Sequence, residues 1–117
     1  MVDPAHLVGT GGAIGALLRY WVGKRVAGRD VPLATPLVNV VGSFVLGLLV
    51  FAGVGGDTLL FVGTGACGSF TTFSSFSYET VRLWESGEPV RATAYAGGTL
   101  AASLAAVGTA WLLAGPV

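Results

Sequence analysis

The charged side chains cut this chain into long apolar runs. They stand at Asp3, Arg19, Lys24, Arg25, Arg29, Asp30, Asp57, Glu79, Arg82, Glu85, Glu88 and Arg91, leaving uncharged stretches at 4–18, 31–56, 58–78 and 92–117. These runs are 15, 26, 21 and 26 residues long, and a helix needs roughly 20 apolar residues to cross a bilayer. The pattern predicts an all-α membrane protein of one domain, 1–117, with four transmembrane helices over 5–26, 33–54, 58–81 and 92–113.

Each span has its own signature. The first contains GTGGAIGALLRYW, whose Gly11, Gly12 and Gly15 predict a face where another backbone approaches closely. Arg19 interrupts it before Lys24 and Arg25; either it snorkels to the headgroups or it attracts an anion. A polar link, Gly28-Arg29-Asp30, leads through Pro32 and Pro36 into the second span, which holds Asn39 about a turn into hydrocarbon and small residues at Gly42, Ser43 and Gly47. The turn at Gly53–Asp57 is short, so spans two and three are expected to be antiparallel neighbours. Glu79 to Arg91 holds most of the remaining charges and leads into span four, where Trp111 is an expected interfacial anchor.

Composition narrows the function. The chain is 53% apolar and 10% charged, with a mean hydropathy of +0.77, where a soluble domain carries about a quarter charged residues. Net charge is zero, so no basic surface exists for nucleic acid. Cys67 is the single cysteine and His6 the single histidine; with no paired carboxylates either, enzymatic chemistry lacks a basis. Asp3 and His6 occupy the place of a signal peptide's basic region, so the first span is expected to be retained.

The third span departs from what lipid requires. Between Ser69 and Ser77 six of nine side chains carry hydroxyls, and the other three are Phe70, Phe73 and Phe76. Unpaired polar groups are costly in hydrocarbon, so these hydroxyls must bond to backbone, another helix, water or a passing solute. Gly65, Gly68 and the Thr71-Thr72 pair argue for a helix broken near its middle, which would free amides and carbonyls as ion ligands. Interhelical glue is the competing reading of the same hydroxyls. Other polar positions favour a passage: Thr35 and Asn39 lie one turn apart, and Tyr95, Thr99 and Ser103 follow at i, i+4, i+8. Donors without a permanent charge suit a small anion that must be dehydrated and then released. Phe73 and Phe76 could add positive ring edges.

GGAIGALLRY, TPLVNVVGSFVLG and GACGSFTTFSSFSYE together resemble the Fluc/CrcB fluoride channels across all four spans. The resemblance implies an antiparallel, dual-topology-type dimer with two fluoride pathways, passive fluoride efflux across the plasma membrane, and a structural Na+ at the dimer interface. By motif, Phe73 and Phe76 match the aromatic box, Asn39 the pore amide, and Ser74 and Ser75 hydroxyls of the same segment. Tyr95, Thr99 and Ser103 match the fourth-span polar track, Thr35 and Arg19 match polar positions of spans two and one, and Glu79 matches the acidic residue closing the motif. The resemblance assigns sodium to the backbone carbonyls of Gly68 and Thr71. Two departures stand out: Ser69 replaces a frequent glycine, and Ser75 a frequent threonine.

Orientation follows from Lys24, Arg25, Arg29, Arg82 and Arg91, all on the 1–2 and 3–4 links. The positive-inside rule puts those links in the cytoplasm. A fixed orientation predicts pairing with an oppositely inserted paralogue; a homodimer is the alternative. Two rival functions remain at this level, a small multidrug-type transporter and a non-transporting structural subunit. The first would want an acidic residue within a span.

Overall fold

The computed structural model describes residues 2–26 and 32–115, and these are helical apart from short connections. The Gly28-Arg29-Asp30 link lies outside the described residues. In chain order the elements are α1 (Pro4–Arg25), α2 (Ala34–Phe51), α3 (Gly56–Thr58), a π-helix π1 (Leu59–Cys67), α4 (Gly68–Phe70), α5 (Phe73–Glu85) and α6 (Pro89–Ala114).

Local chemistry sets the helix ends. Asp3 caps α1 by accepting from the Ala5 N–H at 2.8 Å, with Pro4 in the first turn and Lys24 and Arg25 in the last, where cations offset the partial negative charge of the C-terminus. Among the described residues three helical stretches are long and apolar enough to cross a membrane: α2, the run Gly56–Glu85, and α6. α1 has the length, 22 residues or roughly 33 Å at 1.5 Å per residue, but Arg19, Lys24, Arg25 and its glycines dilute its hydropathy.

The segment 82–91, expected as the connection between spans three and four, is mostly helix. α5 continues to Glu85 and α6 starts at Pro89, which leaves only Ser86–Glu88 to reverse the chain. Gly87 makes this possible with a φ of 82°. Its N–H donates to Trp84 O and the Glu88 N–H to Leu83 O, both at 3.1 Å, a glycine-based closure that satisfies the last carbonyls of α5. Glu88 and Arg91 then pair across one turn at 3.3 Å.

Packing follows the small residues. α1 lies along π1 and α4, while α2 and α5 both pack on α6. A side chain at Gly15 would collide with the Ala66 carbonyl and the Ser69 hydroxyl, and one at Gly11 with the Phe61 carbonyl. Backbone therefore touches backbone, as between membrane helices that associate by dispersion. Leu59–Cys67 winds as a π-helix, which hydropathy at a 3.6-residue period does not predict. Large apolar residues such as Leu17, Leu104, Leu112 and Leu113 face outward, and the fully sealed core is small. That distribution suits lipid or a second subunit, since lipid offers apolar side chains no reason to turn inward.

Candidate ion-conducting site

The site is built around an interruption of the third helical stretch. α4 ends at Phe70; Thr71 (φ −84°, ψ 161°) and Thr72 (φ −153°, ψ 122°) are extended, and α5 begins at Phe73. Thr72 caps α5, its Oγ1 accepting from the Ser75 N–H at 3.2 Å and lying 3.3 Å from Ser74 Oγ. Such capping by threonine satisfies a donor that the first turn of a helix otherwise leaves bare.

Asn39 on α2 clips this extended pair. Its Oδ1 accepts from the Thr72 N–H at 2.7 Å, and its Nδ2 donates to Thr72 O at 3.0 Å. The carboxamide thus replaces the helical partners that Thr72 has lost. One of the two amide hydrogens remains uncommitted. Because the Thr72 N–H is taken by Asn39, the Gly68 carbonyl lacks its helical donor; among the described residues neither it nor the Thr71 carbonyl accepts a hydrogen bond. Carbonyl oxygens are the ligand type that a hard cation such as Na+ takes, so these two residues are chemically compatible with the ion that the resemblance implies, as part of its coordination shell. The other hydroxyls here are spent on structure. Thr71 Oγ1 donates to Cys67 O at 3.0 Å, while Ser69 Oγ donates to Gly12 O at 2.6 Å and reaches Ala66 O at 3.3 Å.

A cavity of about 340 Å³ opens beside the interruption. It gathers seven of the residues singled out from the sequence: Asn39, Gly68, Thr71, Phe73, Phe76, Thr99 and Ser103. No charged side chain lines it. The Phe73 and Phe76 rings are 5.8 Å apart and tilted by 41°, and Phe76 stacks on Tyr95 at 6.0 Å. Ser43, read from the sequence only as a packing residue, also lines this wall. Its position one turn beyond Asn39 was the available signal.

The remaining candidates lie elsewhere. Arg19, Thr35 and Ser75 line a second cavity of about 320 Å³, with Thr72 bordering both. Arg19 is half-buried where it borders this cavity. Ser74 and Ser75 open onto a wider vestibule of about 800 Å³ together with Glu79 and Arg82. The Thr35 hydroxyl donates to Glu79 Oε1 at 2.5 Å, so Thr35 does not share the Asn39 cavity despite lying a turn away. Tyr95 parts from Ser103 but not from Thr99, with which it lines another cavity of about 340 Å³, and its hydroxyl is sealed among protein beside Thr35 and Glu79.

Residues 6–111 match the family model described as CrcB-like protein, Camphor Resistance (CrcB). The chain is 57% identical over 110 residues to the fluoride-specific ion channel FluC 2 of Haloarcula marismortui, covering 94% of this chain and 92% of that one. It is 51% identical over 113 residues to FluC 1 of Halobacterium salinarum, covering 97% and 95%. FluC 2 of Moorella thermoacetica is 44% identical over 115 residues, covering 92% and 93%.

Proposed function

This chain belongs to the CrcB-like family, and we propose that it is a fluoride-specific ion channel chain, carrying fluoride passively out of the cell across the plasma membrane. It is a channel and not an enzyme, and the relatives' names set aside the multidrug-type transporter and the purely structural subunit. The observation that carries the reading is the uncharged cavity that brings Asn39, both phenyl rings, Thr99 and Ser103 to one place.

The chemistry follows from what fluoride loses on entry. A small anion gives up a tightly held hydration shell, so a pathway must supply replacement donors without holding the ion permanently. The vestibule near Ser74, Ser75 and Arg82 receives the hydrated ion. Deeper in, the free N–H of Asn39 and the hydroxyls of Thr99 and Ser103 take over hydrogen bonding, while Phe73 and Phe76 present positive ring edges. A fixed ammonium at this depth would bind the ion too long to conduct. The Asn39 clip on Thr72 aims the amide N–H, and not its oxygen, at the passing anion.

The working unit in this reading is an antiparallel dimer in which α1 serves as the fourth span. Phe73 is 78% exposed on the single chain, a costly place for a ring unless another subunit or lipid covers it. In the dimer the Gly68 and Thr71 carbonyls would hold Na+, supplying fixed positive charge near the path. All Lys and Arg of the described residues beyond Arg19 lie at the end carrying Lys24, Arg25, Arg82 and Arg91, which supports a single orientation with that end cytoplasmic. Relatives with numbered names, FluC 1 and FluC 2, are in keeping with pairing to an oppositely inserted paralogue; a homodimer is the other arrangement.

Two measurements test this. Liposomes loaded with fluoride and containing the purified chain, alone and with a candidate paralogue, are expected to release fluoride once counter-charge is supplied. Phe76→Ile should lower that rate by about a hundredfold or more while the dimer still elutes intact, since the aliphatic chain has no positive edge to offer; unchanged flux would remove the ring from the pathway. For topology, reporters fused to the C-terminus should respond only on the external side, and comparable signal from both sides would overturn the fixed orientation.

A further inference from the structure

We propose that the Ser43 hydroxyl binds fluoride directly, as a second available donor on the α2 wall of the cavity beside the free N–H of Asn39. The inference deepens the fluoride reading above and rests on it.

Hydroxyls in helices within hydrocarbon ordinarily satisfy themselves by donating to the carbonyl four residues back. This chain follows that habit at Thr71, Thr80, Ser86, Thr93 and Thr109, with distances of 2.7 to 3.0 Å. Ser43 does not. Among the described residues its hydroxyl donates neither to Asn39 O nor to any other group, although it stands well inside α2 where the back-bond is geometrically available. Thr99 and Ser103 share this uncommitted state, and all three line the same cavity.

The neighbouring groups make Ser43 more consequential than its size implies. Asn39 spends its oxygen and one hydrogen on Thr72. Thr71 turns its hydroxyl back to Cys67 O and packs its methyl group over Gly42, so it offers the cavity no donor. Leu46 closes the wall beyond. An ion leaving the amide of Asn39 along α2 therefore meets Ser43 as its next hydrogen-bond donor on that helix, one turn, roughly 6 Å, away, in a cavity that Thr99 and Ser103 also line. That spacing gives a desolvated anion a second donor before it has released the first.

The test compares Ser43→Ala, Ser43→Thr and the parent in fluoride-loaded liposomes, with dimer elution and thermal unfolding recorded for each. A hydrogen bond to an ion is stronger than one between neutral groups, so Ser43→Ala is expected to lower fluoride efflux by about tenfold or more with elution and unfolding unchanged. Ser43→Thr keeps the hydroxyl and is expected to stay within about threefold of the parent. Parent-like flux in Ser43→Ala overturns the proposal. So does an equal loss in both variants accompanied by a lowered unfolding temperature, which marks a packing role. A parent chain without fluoride flux, alone and with its candidate paralogue, sinks the fluoride reading itself and this inference with it, an outcome distinct from a silent Ser43→Ala in a conducting parent.

Discussion

Asn39→Asp is expected to reduce fluoride efflux to the leak of protein-free liposomes. The substitution is nearly isosteric, so the Thr72 N–H still finds an oxygen at the place of Oδ1, now 2.7 Å away. Two things change. The second carboxylate oxygen confronts Thr72 O, where Nδ2 had donated at 3.0 Å, so one half of the clip turns repulsive. A negative charge also enters a cavity lined otherwise by neutral groups. At about 4 Å and an effective dielectric near 20, two like charges repel by about 4 kcal/mol, which corresponds to about a thousandfold in rate. Flux assays on dimer-competent protein decide it: conduction within tenfold of the parent would mean that fluoride does not pass Asn39. Comparison with Ser43→Ala is informative, because that change removes a donor without adding charge and should cost much less.

The second large effect concerns assembly. Gly15→Ala adds one methyl group where the Ala66 carbonyl and Ser69 hydroxyl already sit, and the backbone oxygen cannot rotate away. Relief requires α1 to withdraw from π1 and α4, breaking the Ser69-to-Gly12 hydrogen bond. Overpacking of a well-filled contact costs about 1–3 kcal/mol and occasionally more; a backbone collision belongs at the upper end. Gly9→Ala lies on the same helix, yet a side chain there meets nothing within 4 Å, and alanine improves helix propensity by up to about 1 kcal/mol. Thermal unfolding is expected to move in opposite directions for the two variants. Equal shifts would show that α1 does not pack on π1 through Gly15.

Ser69 links this packing to the site. It stands where the family resemblance leads one to expect glycine, and the structure uses its hydroxyl to tie α4 to α1 directly before the extended pair. Gly68 and Thr71 flank that tie, so the orientation of their bare carbonyls depends on a contact with a helix 57 residues earlier in the chain. The departure at Ser75 is milder: its N–H is taken by the Thr72 cap and its side chain opens toward the cavities near Arg19 and Glu79.

Much of the architecture was legible in the order of residues because burial in lipid is a local demand. Length and apolarity alone mark α2 and α6, and glycine spacing marks the face of α1 that touches π1. The crowding of hydroxyls and phenylalanines between Ser69 and Ser77 identifies the segment that cannot be an ordinary lipid-facing helix. Charge density misled at 82–91, since solvent-exposed helix ends tolerate charge as readily as a link does, and only the left-handed Gly87 fixes where the reversal falls. No local pattern could separate the hydroxyls spent on structure from those left free. Thr71 and Ser43 look alike along the chain, but one donates to Cys67 O while the other faces an open cavity. Asn39 reads as a donor, yet most of its bonding capacity goes to Thr72, 33 residues away. Hydropathy and helical period act over a few neighbouring residues, and so the chain itself determined which segments lie in the membrane. Which polar group meets an ion depends on partners brought together from distant segments, and that was decided only when the helices packed.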